Sequence, residues 1–247
     1  MKTVLHLHIP RTGGTSVSRA LRSALRDRRV VLSASRQDLR EALQDGADVG
    51  LVSGHFYWGM HQELLADYVY FIVLRDPVER VKSLYDYIRG LPTHSSHQLF
   101  AKTRLEDLLE QPEHRLSLSN GQVRPVGGLH PARGSMGEAI LERAWENLNR
   151  EETVVGFTDR IAEGLAQLGH RLHRSIPPLA KTMNRSTDRT PADAALDARI
   201  LALNELDMEL FRRARERFAP GSAGGGVDRR ASPADWMHRI RRLIGAR

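Results

Sequence analysis

The hydrophobic positions of this chain fall into two alternating rhythms. Short apolar runs of the kind that form buried strands stand at Val4, Leu5, Leu7 and Ile9, at Val30–Leu32, at Val49–Ser53, at Tyr68–Leu74 and at Thr153–Thr158. Between them, apolar residues recur at helical spacing. Val17, Ala20, Leu21, Ala24 and Leu25 follow the first run, Leu39, Ala42 and Leu43 mark a helix over 36–44, and a short helix is predicted over 59–66. Val81, Leu84, Tyr85 and Ile88 follow the fourth run, Ala139–Leu148 reads as helical, and Ile161, Leu165, Leu168 and Leu172 follow the fifth behind Asp159 as a cap. A last long helix is predicted to run to about Phe218. Strands alternating with helices predict an α/β fold with a central parallel sheet flanked by helices.

The breaks between the runs carry the chemistry. Pro10 ends the first strand because it has no N–H for a ladder, and His8-Ile9-Pro10-Arg11-Thr12-Gly13-Gly14-Thr15-Ser16 leads it into the first helix. Two glycines let the backbone approach a ligand closely, and the unpaired N–H groups of a first helical turn favour an anion. Thr15 and Ser16 are the expected caps. The nucleotide-triphosphate loop G-x-x-x-x-G-K-[ST] does not fit, since no lysine follows Gly14 and no glycine heads the loop; the cation, Arg11, precedes the glycines. Taken alone, the stretch fits a phosphate cradle and a plain strand-to-helix turn with a solvated Arg11 equally well.

The fourth run ends at Arg75-Asp76-Pro77-Val78-Glu79-Arg80, where Asp76 as N-cap, Pro77 at the first helical position and Glu79 at the third start a helix. Arg75 is thereby left at the carboxyl end of a central strand, with Ser83 on the helix's more polar side. Ligands of open α/β sheets bind at that edge, and a guanidinium beside a hydroxyl suits a phosphate. The competing reading pairs Arg75 with Asp76 or Glu79 inside the cap. The third run ends at Gly54-His55-Phe56 and delivers His55 to the same edge. Imidazole titrates near neutrality and is able to take a hydroxyl proton, although a histidine just after a strand is more often structural. His6 and His8, alternating on the first strand, are expected to be structural.

Ile9–Ser16 resembles the 5′-phosphosulfate-binding loop of sulfotransferases that use 3′-phosphoadenosine 5′-phosphosulfate (PAPS), and Leu74–Arg80 with Ser83 and Tyr85 resembles their 3′-phosphate-binding segment. The nearest likeness is the branch containing the heparan sulfate and chondroitin uronyl 2-O-sulfotransferases. It covers most of residues 3–190 in outline and is close at the motifs. The resemblance implies a P-loop-like α/β sandwich, PAPS as donor with no metal, and a hydroxyl acceptor on a carbohydrate. Arg11, Thr12, Gly13, Gly14, Thr15, Ser16, Arg75 and Ser83 would hold the donor, and Arg11 would also act in catalysis. His55 stands where that branch has a Gly-His between its phosphate motifs and would be the general base. Asn184, Arg185 and Ser186, in the loop after Pro177-Pro178, match the polar, basic loop that closes over the nucleotide in the family. One departure matters: the family usually has lysine where this chain has Arg11, which keeps the charge and changes its reach.

Composition refines this picture. The 247 residues are read as one domain over 1–219, a flexible linker over 220–232 around Gly221-Ser222-Ala223-Gly224-Gly225-Gly226, and a basic amphipathic helix over 233–247 carrying Trp236, Ile240, Leu243 and Ile244. That helix is expected to dock on protein, with peripheral membrane contact as the alternative, and the oligomeric state is left open. Lacking cysteine, the chain has neither disulfides nor thiolate metal sites. No apolar run approaches the roughly 20 residues that span a bilayer, and Met1-Lys2-Thr3 leads into a strand. Family members of secretory compartments carry a membrane anchor, so a bacterial-type cytoplasmic enzyme is expected. The net charge is +7, and six arginines against two aspartates after Pro220 put about four of the excess charges in the tail. The mildly basic body suits a polyanionic donor, and no nucleic-acid partner is expected. Residues 92–137 mix His94, His97, His114 and His130 with Lys102, Arg104, Arg115, Arg124 and Arg133. They predict one helix bearing Leu99, Leu105, Leu108 and Leu109 and otherwise loop, which reads as an acceptor-side cover or, on the competing reading, as a solvated variable insert.

The functional expectation is a PAPS-dependent O-sulfotransferase. Its rivals are a nucleotide-dependent phosphotransferase, disfavoured by the missing loop lysine and the lack of a clear magnesium carboxylate, and a non-catalytic basic protein that binds glycans or nucleic acid.

Overall fold

The structure, a computed structural model, describes residues 2–32, 35–44, 46–64, 67–130, 136–179 and 190–218. Five strands, β1 (Thr3–Leu7), β2 (Arg29–Leu32), β3 (Val49–Gly54), β4 (Tyr68–Leu74) and β5 (Thr153–Phe157), form one sheet in the order β2-β3-β1-β4-β5. All neighbours are parallel, with Leu5 opposite Val52 on one side and Tyr70 on the other. The carboxyl ends of β1, β3 and β4, the three central strands, therefore lie side by side.

Alternation along these strands sends residues to two cores. One face carries Val4, Leu51, Val69, Phe71, Val73 and Val154 against α1 (Gly14–Ala24). The opposite face carries Leu5, Leu7, Val52, Tyr70, Ile72 and Leu74 against α2 (Arg36–Gln44). After β4 the chain forms α3 (Pro77–Arg89), the short helices α4 (His97–Lys102), α5 (Leu105–Glu110), α6 (Pro112–Leu118) and α7 (Val123–Val126), and then α8 (Glu138–Leu148). Beyond β5 come α9 (Ile161–Leu172), α10 (Ala194–Leu203) and α11 (Glu205–Phe218). Helix α9 joins α1 on the first face, whereas α8 and α11 join α2 on the second. Both faces are covered, as the near-continuous apolar strands require. The architecture is the expected α/β sandwich with a central parallel sheet.

Three elements differ from their sequence reading. Among the described residues, 92–137 hold four short helices: Phe100, Leu105, Leu108, Leu109 and Leu118 of α4, α5 and α6 pack with Val81, Tyr85 and Ile88 of α3 into a third core, and Val123 and Val126 of α7 join the core of the second sheet face. The long last helix is two helices, broken at the fully buried Asn204, whose amide Nδ2 donates to the carbonyls of Leu118 and Ile200 while Oδ1 accepts from the Asn120 N–H. Asp159 caps nothing: α9 starts at Ile161 without a side-chain cap, and Asp159 pairs with Arg215 at 3.0 Å. The linker and tail helix, 220–247, and the loop residues Asn184, Arg185 and Ser186 lie outside the described residues. No helix among the described residues is long and apolar enough to cross a membrane.

Candidate functional site

The loop between β1 and α1 turns through two left-handed residues, Arg11 at φ 70° and Gly13 at φ 89°. Glycine is at home there, whereas an arginine costs roughly 1–2 kcal/mol, the kind of strain that is kept where geometry matters. The Arg11 carbonyl is held by the Arg75 guanidinium at 3.0 Å, and the buried Thr12 turns its hydroxyl inward to the Ile9 carbonyl at 2.9 Å. Thr12 thus braces the loop with its side chain and leaves its surface to backbone. Gly13 is the N-cap of α1, with no side-chain cap and no acidic residue in the first turn. Thr15 and Ser16, expected as caps, lie inside the helix instead, because the glycine turn starts it earlier. A helix N-terminus without a carboxylate or hydroxyl of its own favours an external anion.

Gly14 is demanded by sterics. A Cβ there would sit 1.8 Å from Cδ2 of His8, whose ring occupies the space a side chain would need.

The second segment meets this loop. Asp76 caps α3 as the sequence predicts, accepting from the N–H groups of Val78 and Glu79 at 3.0 and 3.1 Å, with Pro77 at the first position. That start aims Ser83 at the loop, where its Oγ accepts from Arg11 Nε at 3.1 Å. One turn further along α3, the Tyr87 ring lies 4.4 Å beneath the Arg11 guanidinium. Arg75 reaches the Arg11 carbonyl and also, at 3.5 Å, the exposed carboxylate of Glu79, the pairing that the competing reading expects. Burial first, and then the neighbouring Arg75 charge, push the Arg11 guanidinium below its ordinary range, with Tyr87 and Asp86 acting the other way. An anion seated here would relieve both penalties.

Two side chains that the sequence did not mark complete this half of the site. Tyr87 is readable in hindsight, since it stands four residues after Ser83 on one helical face. Gln122 has no local signal at all. Its Oε1 accepts from the Arg75 N–H at 2.9 Å and its Nε2 donates to the Arg75 carbonyl at 2.8 Å, fixing the backbone from which the guanidinium projects. Gln122 is itself held by the buried Asp207, which accepts from the N–H groups of Gln122 and Val123 beside Arg80. Burial raises the Asp207 carboxyl above its usual range despite the opposing Arg80. Replacing Gln122 by alanine is expected to lower the unfolding midpoint by several degrees, as leaving a buried polar group unpaired costs about 1–3 kcal/mol. A wild-type midpoint in a thermal melt would show that the Arg75 backbone needs no such support.

The histidines sort by depth. His6 is buried, with Nδ1 shared between Ser53 Oγ at 2.8 Å and Ser18 Oγ at 3.2 Å, and burial holds it well below its ordinary range. His8 stacks on it at 5.5 Å and is depressed to about 4 by burial, then by His55 and Arg11. A ring so weakly basic stays neutral at pH 7 and is a poor proton acceptor. His55 is exposed, 4.4 Å from His8 between ring centroids, and its Nδ1 lies 2.7 Å from the His8 carbonyl oxygen. A carbonyl only accepts, so Nδ1 carries the proton and the neutral ring's lone pair is on Nε2. Among the described residues, no group of three or more His, Asp or Glu side chains is placed to hold a metal ion.

Arg11, Arg75, Ser83, the α1 terminus and His55 are thus gathered at the carboxyl edge of β1, β3 and β4. No protein-family model matches the chain, and no curated protein matches its sequence. A solved structure that resembles it is mouse sulfotransferase SULT7A1 complexed with PAP, at TM-score 0.42 and 15% identity, the match covering 72% of this chain and 61% of that one. The chain spans about three fifths of that structure's length.

Proposed function

We propose that this protein is a PAPS-dependent O-sulfotransferase whose acceptor is a carbohydrate hydroxyl and whose general base is His55. The observation that carries the reading is the meeting of two segments 64 residues apart, Arg11 on the β1 loop and Arg75 after β4, with Ser83, beside an exposed imidazole whose proton is fixed on Nδ1. The donor supplies an activated sulfuryl group on a 5′-phosphate, and its 3′-phosphate distinguishes it from ATP. Arg75, Ser83 and the uncapped N–H groups of α1 would hold its phosphates, with Arg11 reaching both segments. His55 Nε2 removes the acceptor's hydroxyl proton as that oxygen bonds to sulfur and the bond from sulfur to the 5′-phosphate oxygen breaks. Arg11 and the loop N–H groups neutralise the negative charge left on that phosphate, so the site works by positioning and preorganised charge.

The test compares 3′-phosphoadenosine 5′-phosphate with ATP in a thermal-shift titration of the full chain. The 3′-phosphorylated nucleotide is expected to raise the unfolding midpoint more at equal concentration, because a ligand stabilises the state it binds in proportion to the logarithm of occupancy. Equal shifts, or an ATP shift that requires magnesium, would transfer the site to a phosphotransferase.

A further inference from the structure

At the opposite, amino end of the strands, a groove of about 1010 Å3 is floored by Thr153, Val154 and Val155 of the edge strand β5. Its walls are the carboxyl ends of α8, α9 and α11. Lys2, Arg150, Arg171 and Arg217 line it together with His170 and His173, against one carboxylate, Glu151.

Elsewhere among the described residues most arginines are matched: Arg28 to Asp48, Arg36 and Arg40 to Glu63, Arg174 to Asp27, Arg213 to Glu142 and Glu209. Among the described residues no carboxylate forms a salt bridge with Arg150, Arg171 or Arg217. Helix ends explain only part of this. Three carboxyl termini at roughly half a negative charge each, with Glu151, offset about two and a half of the four fixed positive charges, so the groove keeps a positive surplus.

We propose that this groove is a binding site for an anionic polysaccharide, holding a carboxylated or sulfated glycan at a distance of about 20 Å, one strand length, from the reacting hydroxyl. The choice of a glycan rests on the carbohydrate acceptor proposed above and on the lining. Single-stranded nucleic acid is held by stacked aromatics, and the one Phe, Tyr or Trp side chain lining the groove, Phe218, packs on Trp145 at 6.2 Å. Cations and imidazoles on a wide, open floor suit carboxylates and sulfates spaced along a chain. An acceptor polymer held at both ends of the sheet would be presented repeatedly to one site.

The experiment measures binding of a fluorescent heparin octasaccharide to the full chain by anisotropy across a salt series. The variant Arg150→Gln/Arg171→Gln/Arg217→Gln is set against Arg22→Gln/Arg26→Gln/Arg143→Gln, which removes three exposed cations outside the groove. At about 0.15 M salt the groove variant is expected to bind at least tenfold more weakly, with the slope of log K against log salt reduced by about two, while the control changes by less than about threefold. Equal weakening in both variants, or full affinity in the groove variant, would overturn the proposal. Tighter binding of an oligothymidylate of matched charge would assign the groove to nucleic acid instead. The thermal shift with 3′-phosphoadenosine 5′-phosphate is recorded for each protein. Its absence from the wild type would sink the donor assignment alone, and its loss only from the groove variant would mark that variant as misfolded and move the test to the single substitutions.

Discussion

Replacing His55 by alanine is expected to slow sulfuryl transfer by a factor of about a hundred to ten thousand, the usual loss of a general base, while leaving affinity for 3′-phosphoadenosine 5′-phosphate nearly unchanged. The separation follows from where the ring sits. His55 is exposed and meets the loop through the His8 carbonyl and the His8 ring, contacts that involve none of Arg11, Arg75 and Ser83, so its removal takes Nε2 from the acceptor side and leaves the contacts among those three in place. His8 does not substitute, being half-buried against Gly14 and His6 and depressed to about 4. Single-turnover kinetics with a uronic-acid oligosaccharide as acceptor, alongside calorimetric binding of the nucleotide, read the two quantities separately. Wild-type turnover in the His55→Ala protein would rule the residue out as the base.

Arg11→Ala should impair both binding and rate. Loss of a charge-assisted contact of about 1.5–3 kcal/mol corresponds to a weakening of nucleotide binding by roughly one to two orders of magnitude. The rate falls further because the same charge faces the departing phosphate. Arg11→Lys is expected to recover only part of either. An ammonium keeps the charge, but it cannot lie flat on Tyr87 at 4.4 Å while directing an N–H to Ser83 at 3.1 Å. Tyr87→Leu should therefore weaken the arginine protein and leave the Arg11→Lys protein almost unaffected, a double-mutant cycle that isolates the stacking. Affinity and rate both at wild-type level in Arg11→Ala would remove the loop from the site.

The histidine and the cap show how far local pattern reaches. Asp76-Pro77 starts α3 as written because a cap and a first-turn proline act within four residues, and His6 is structural because a strand buried on both faces leaves its ring no exit. Thr15 and Ser16 fail as caps for an equally local reason that the residue types conceal: Gly13 takes the left-handed turn itself, and the helix begins before them. Residues 92–137 misled because polar and basic side chains mask the apolar residues that bind three of the four short helices to α3, and helices of one or two turns have too little periodicity to stand out.

The five strands, the helices that follow them and the gathering of Arg11, Arg75, Ser83 and His55 at one edge were legible in the chain, since alternation, glycine turns and caps are written in neighbouring residues, whereas the strand order β2-β3-β1-β4-β5 was not. Nor were the partners of those residues. Tyr87 beneath Arg11, Gln122 clamping Arg75, the His8 carbonyl that sets the His55 proton, and the groove between three helix ends all join residues distant in sequence. Such contacts depend on how the sheet, α3 and the short helices pack against one another, and pairwise packing between remote segments leaves no period in a single sequence for a reader to find.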